Sequence, residues 1–134
     1  MRLSSAVMFV KNLNRSVDFY TRLLQATVTA RDTSAALLVG PGNYQLYLRE
    51  MGTHAEHPLG AIGIQYLIWS ADTLEDFRRC ERLLRELTPH VTAQTVDGFD
   101  IVEGPGPDGV PIVIVYPGPE QLPRDQIIPR IYTW

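Results

Sequence analysis

An α+β fold made of two strand–helix–strand modules is what this 134-residue sequence predicts. Two observations carry the prediction. The first is the stretch Ala6–Tyr20, AVMFVKNLNRSVDFY, in which a short apolar strand, a polar break at Lys11-Asn12 and an amphipathic helix follow one another directly. The second is the return of this plan about 60 residues later in Ile64–Phe77, IQYLIWSADTLEDF. That spacing suits a duplicated half-domain rather than a solenoid repeat.

In the first module, Leu3–Val10 is a strand, and its nearly continuous apolar run suits a strand covered on both faces. Asn12 or Asn14 caps the following helix through a side-chain oxygen that takes orphan N–H groups. Leu13, Val17, Tyr20 and Leu24 then form one helical stripe, and the helix stops near Gln25. A glycine is common at this exit, because left-handed backbone costs glycine nothing, so Gln25 predicts an exit that is differently shaped or mildly strained. Thr27–Arg31 and Ala35–Val39 are β-rich, Gly40–Asn43 is a turn, and Tyr44–Glu50 alternates, with Gln45, Tyr47 and Arg49 on one face and Leu46 and Leu48 on the other. The module therefore reads β-α-β-β-β.

The second module repeats the order. Ala61–Ser70 is a strand, Asp72 with Glu75 suggests a capping box, and Leu74, Phe77, Leu84 and Leu87 mark the second helix, which Thr88-Pro89 ends. Val91–Val96 and Phe99–Val102 are joined by Asp97-Gly98, a strong two-residue hairpin signal. Gly104–Gly109 is a loop and Val110–Tyr116 the last strand. The expected organisation is a single domain over 1–134, with module 1 at about 1–52, a linker at 53–60, module 2 at about 61–117 and an extended, aromatic-ended tail at 118–134.

Composition narrows the functional classes. A net charge of −3 offers no clustered positive face for nucleic acid or an acidic membrane surface. No apolar run approaches the ~20 residues that span a bilayer, and the N-terminus lacks a secretory pattern. One cysteine, Cys80, forbids an intramolecular disulfide and fits a reducing, cytoplasmic setting.

Two segments resemble a known family. VMFVKNLNRSVDFYTRLL is similar to the opening of the vicinal oxygen chelate superfamily, and GPGPDGVPIVIVY resembles its closing strand; this is the glyoxalase, bleomycin resistance protein and extradiol dioxygenase group. The resemblance covers about Leu3–Pro117. It implies a curved, mostly antiparallel sheet around a central cavity, with the helices on the outer face, and such a fold hosts several chemistries. In metal-dependent members a His or Gln on each module's first strand and a Glu on its last strand hold one divalent ion. Matched motif by motif, these positions are Ser5, Gln45, Gln65 and Val113. Such ions need oxygen or nitrogen donors, preferably with carboxylates among them, and this set has none, so no metal and no cofactor are expected.

The same matching implies a cavity lining. Val7, Phe9, Tyr47, Arg49, Leu67, Trp69 and Val115 join the four positions by the period-two rule, and a one-residue slip would turn Glu50 inward in place of Arg49. The expected ligand-binding residues are Phe9, Gln45, Tyr47, Arg49, Gln65, Leu67, Trp69 and Val113. An apolar body with sparse polar groups suits an organic guest: Phe9 and Trp69 to stack it, and Arg49 to pair with an anionic substituent. The two glutamines are either structural or ligand-reading.

Other candidates read as local chemistry. His54-x-x-His57 lies in the linker, beside proline and without a cysteine or carboxylate set. His90 sits at a helix end, and Cys80 is an inert helix cysteine despite Arg78, Arg79 and Arg82 nearby. Three functions follow. The first is metal-independent binding of a small aromatic or amphipathic molecule in the inter-module cavity, for sequestration or carriage, akin to the bleomycin-resistance branch. The second is a glyoxalase- or dioxygenase-like enzyme (a lyase, isomerase or oxygenase) with a non-standard metal site or acid–base residues such as Glu50, Glu103 or His90, while Asp100 has unknown facing. The third is an interaction protein whose tail meets a partner. A homodimer is expected in all three, since exposed sheet edges favour pairing.

Overall fold

A computed structural model describes residues 3–54 and 62–118. The chain falls into two compact units, Met1–Glu56 and His57–Trp134, each taken by itself below.

The first unit runs β1 (Ser5–Val10), α1 (Leu13–Leu24), β2 (Thr27–Arg31), β3 (Ala35–Val39) and β4 (Gln45–Glu50). Its sheet has four strands in the order β1-β4-β3-β2, with β1 parallel to β4 and the other pairs antiparallel. The helix supplies the crossover that a parallel pair requires. Asn12, not Asn14, is the cap: its side chain accepts from the Arg15 N–H at 2.9 Å, while Asn14 accepts from the Arg31 guanidinium. The predicted stripe is buried, and Ser16, Phe19 and Leu23 join it. It packs on the alternating residues of β3 and β4, where Leu38, Leu46 and Leu48 are at most 1% exposed. Full burial of each leucine stabilises the unit by roughly 1.5–3 kcal/mol.

The end of α1 is built around an unfavourable residue. Gln25 adopts left-handed backbone, φ 52° and ψ 35°, and the Ala26 N–H reaches back to the Thr21 carbonyl at 3.2 Å. This six-to-one closure adds a second donor to the Thr21 carbonyl, which also accepts from the Gln25 N–H, but asks a side-chain-bearing residue to take a glycine conformation. A second tie comes from Tyr44, whose hydroxyl donates to the Leu24 carbonyl at 3.2 Å. Its ring lies so close over Gly40 that a Cβ there would meet it at 2.1 Å.

The second unit repeats the topology with β5 (Leu67–Ser70), α2 (Leu74–Leu87), β6 (Thr92–Val96), β7 (Phe99–Pro105) and β8 (Pro111–Tyr116), in the sheet order β5-β8-β7-β6. Three expectations are corrected. The helix cap is Thr73 rather than Asp72, with its hydroxyl accepting from the Asp76 N–H at 3.1 Å. β5 starts only at Leu67, and Ala61 lies outside the described residues. β7 continues through Gly104 and Pro105, which pair with Ile112 and Pro111, so the loop shrinks to 106–110. The Asp97-Gly98 hairpin forms as expected, with both residues at positive φ, 50° and 82°.

His57, most of the linker and the tail beyond Gly118 lie outside the described residues. Among the described residues no helix is long and apolar enough to cross a membrane.

Two substitutions test the α1 exit. Gln25→Gly is expected to stabilise the protein by about 0.5–1 kcal/mol, the left-handed penalty removed less the extra chain entropy of glycine. Gly40→Ala is expected to destabilise it by about 1–3 kcal/mol by displacing the Tyr44 ring. Both are read from urea denaturation midpoints.

Candidate functional site

The β1–β4 ladder decides which side chains leave the core of the first unit. Ser5 pairs with Gln45, Val7 with Tyr47 and Phe9 with Arg49, and paired residues of parallel strands share a face. The alternate residues, Leu46 and Leu48, are buried under α1. What remains is an outward apolar face on which Val7 is 67%, Phe9 55% and Tyr47 40% exposed. Leu37 and Val39 of β3, the partners of Tyr47 and Gln45, extend it. The Arg49 guanidinium lies over the Phe9 ring at 5.6 Å, and the Tyr47 hydroxyl donates to the Gln45 side-chain oxygen at 3.3 Å. Phe9, Gln45, Tyr47 and Arg49 are thus brought together. Leu37 and Val39 were missed because Ala35–Val39 is apolar throughout and carries no alternation; their facing is set by pairing with β4.

The slip that would have exchanged Arg49 for Glu50 does not occur. Glu50 sits on the helix side, where its carboxylate accepts from the Leu13 N–H at 2.7 Å. A carboxylate at a helix N-terminus is favoured there by the dipole and by the orphan N–H.

In the second unit the facing of β5 must be corrected. Leu67 pairs with Ile112 and Trp69 with Ile114, whereas Val113 pairs with Ile68 and Val115 with Ser70. Leu67 and Trp69 therefore do not share a face with Val113. Tyr66 instead packs on the buried cluster of Ile101, Val113 and Val115, together with Phe99. Gln65 precedes the strand, and its side-chain amide donates to the Gly63 carbonyl at 3.0 Å. Matching Gln65 to Ser5 sets the second module 60 residues after the first, but the helix caps Asn12 and Thr73, like the buried Val10 and Ala71, stand 61 residues apart, so Tyr66 is the residue equivalent to Ser5. The small buried Ala71 just before the Thr73 cap was the signal that fixes the register. A Cβ on Gly118 would come within 2.6 Å of the Ser70 side chain, so the chain after β8 passes over that side of the sheet.

The four positions that the family resemblance assigns to a divalent ion do not form a donor set for one. Ser5 and Gln45 are neutral neighbours, Gln65 is engaged with Gly63, and Val113 is an alkyl group at 1% exposure. Among the described residues no three His, Cys, Asp or Glu side chains group as metal ligands.

The remaining candidates separate. Asp100 faces the helix side and accepts from the Thr95 hydroxyl at 2.6 Å. It lines an open groove of about 340 Å³ with Leu74, Phe77, Arg78, Glu81, Ala93 and Gln94, a groove that holds none of the expected ligand-binding residues. Glu103 pairs with Val113 and so lies on the opposite face from Asp100. His90 is exposed in the turn after α2. Cys80 is 5% exposed, and burial pushes its thiol up to about 11, against a smaller opposing pull from the Arg79 guanidinium. Because only the neutral thiol suits that site, its contribution to stability is complete below about pH 9 and is lost as pH rises towards 11. Ellman's reagent at pH 8 is therefore expected to react slowly with the native protein and at once in denaturant. The fall in urea midpoint between pH 9 and 11 is expected to be smaller in Cys80→Ala.

Comparison with known proteins agrees with this architecture. The profile of the Glyoxalase/Bleomycin resistance protein/Dioxygenase superfamily matches residues 2–113. Among solved structures, the chain is similar to a glyoxylase/bleomycin resistance protein/dioxygenase domain from Frankia sp. EAN1pec, with a TM-score of 0.73 and 20% identity over 86% of this chain and 96% of that one. A glyoxalase/dioxygenase from Nostoc punctiforme gives 0.67 at 15% identity, over 85% and 89%. A lactoylglutathione lyase from Agrobacterium tumefaciens gives 0.63 at 15% identity, over 85% and 92%. Curated proteins give no match. The repeated βαβββ topology and the match over 2–113 lead to one assignment: the chain belongs to the glyoxalase/bleomycin resistance protein/dioxygenase superfamily.

Proposed function

We propose that the protein binds a small aromatic or amphipathic molecule, without a metal, on the outward face of its first sheet. The supporting observation is that face itself. Val7, Phe9 and Tyr47 are 40–67% exposed side by side, although apolar side chains of this size are usually withdrawn into a core. Gln45, Tyr47 and Arg49 supply the sparse polar groups that orient a guest. The unsuitable donor set at Ser5, Gln45, Gln65 and Val113 supports the metal-independent form of the reading. Sequestration or carriage of the ligand is the corresponding role. A cytoplasmic location and a homodimer belong to the same proposal. The dimer draws support from β2, an edge strand whose five residues are all exposed, and a monomeric mass in solution would remove it.

A second reading, an enzyme, has one observation in its favour. Glu103 carries a carboxylate on the strand beside Val113 and on the same face, next to the place where the family's metal-dependent members have a glutamate. Metal analysis of purified protein separates the two readings, and stoichiometric transition metal would favour this one.

Truncating the stacking surface is the direct test of binding. For any planar ligand found by titration, Phe9→Ala is expected to weaken binding roughly tenfold, the loss of one half-covered aromatic contact. Isothermal calorimetry reads it, and an isotherm unchanged by the substitution would remove the face from the function.

A further inference from the structure

We propose that this face selects an aryl carboxylate: a planar aromatic ring laid along Val7 and Tyr47, with its carboxylate on the guanidinium of Arg49. The inference rests on the binding reading above and deepens it.

The charge inventory of the face carries the argument. The ladders place Ser5, Val7 and Phe9, Gln45, Tyr47 and Arg49, and Ala35, Leu37 and Val39 on one side of the sheet, and Arg49 is the one formal charge among them. Two acidic residues that flank this sheet, Glu50 and Asp32, are occupied elsewhere. Glu50 faces the helix and accepts from the Leu13 N–H. Asp32, in the turn before β3, accepts from the Ser34 and Ala35 N–H groups at 2.8 Å each, and these bonds hold its carboxyl below the usual range. Arg22, Arg79 and Arg85 pair with acidic residues on their own helices. Arg49 makes a different contact: its guanidinium lies over the Phe9 ring at 5.6 Å.

That contact holds the cation beside the ring without using its N–H groups. Its donor fork therefore remains for a planar two-oxygen acceptor. A carboxylate matches the fork and takes two parallel hydrogen bonds from it. The next pair along the ladder, Val7 with Tyr47, lies about 6.6 Å away, two residues at strand rise, which is close to the distance from a carboxylate to the far side of an aromatic ring. A further step leads to Gln45, whose amide can meet a polar substituent at the other end. A cationic guest of the same shape meets only repulsion at Arg49, so the face discriminates by sign as well as by shape.

The test uses the full chain and a matched pair of ligands, 2-naphthoate and neutral 2-naphthamide, titrated by ¹H–¹⁵N NMR at low salt. The expected result is that naphthoate binds at least fivefold more tightly, with shifts on the amides of Val7, Phe9 and Tyr47. Arg49→Gln brings the two ligands to the same affinity, and Arg49→Lys restores part of the difference. Equal affinities in the wild type, or a preference that survives Arg49→Gln, overturn the inference and leave metal-independent binding standing. Absence of shifts with both ligands overturns both.

Discussion

The parallel pairing of the first and last strand of each module is the constraint on which the rest of the structure depends. Parallel neighbours need a crossover, and in each module the helix supplies it, so the helix must cover one side of the sheet. Once one side is claimed by Leu46 and Leu48 in the first unit, period two sends Gln45, Tyr47 and Arg49 to the other. The outward face therefore follows from the core and cannot shift by one residue without exposing two leucines and burying a guanidinium. The same constraint ties Glu50 to α1. As the last residue of β4 it returns to the helix side, where its carboxylate accepts from the Leu13 N–H.

Two copies of one plan have reached different surfaces. In the first unit, Val7, Phe9 and Tyr47 stand outward. In the second, the corresponding side holds Ile101, Val113 and Val115 at no more than 1% exposure, with Tyr66 and Phe99 packed against them. β8 is buried on both faces, which accounts for the unbroken apolar run that it shows in sequence. The exposed aromatic face thus belongs to the first copy, while the second has used the same side as a core.

How much of this was legible in the sequence depends on how local the signal was. Element order and helix stripes came from periodicity, which burial enforces directly. The face of β4 was readable because Leu46 and Leu48 alternate cleanly with polar neighbours. β5 was not: LIWS has no alternation, and its facing is set by pairing with β8, a contact remote in sequence. The match of Gln65 to Ser5 then set the second module one residue too early, since the Asn12 and Thr73 caps stand 61 residues apart. The cap moved from Asp72 to Thr73 for a related reason, since either side chain can cap and only the position of Ala71 in the core chooses between them. The metal positions were a matter of residue type alone, and their unsuitability could be read before any geometry.

The tie between Tyr44 and the end of α1 bears on local opening. The last turn of a helix is ordinarily where a domain frays first, because its carbonyls have no successors. In this protein the Leu24 carbonyl is held by Tyr44, the residue that leads into β4. Fraying of α1 must therefore disturb the entrance of the strand that carries Gln45, Tyr47 and Arg49. Hydrogen exchange at the Ala26 and Gln45 amides, bonded to Thr21 and Ser4, should accordingly rise and fall together, as a single cooperative unit joining helix end and outward face.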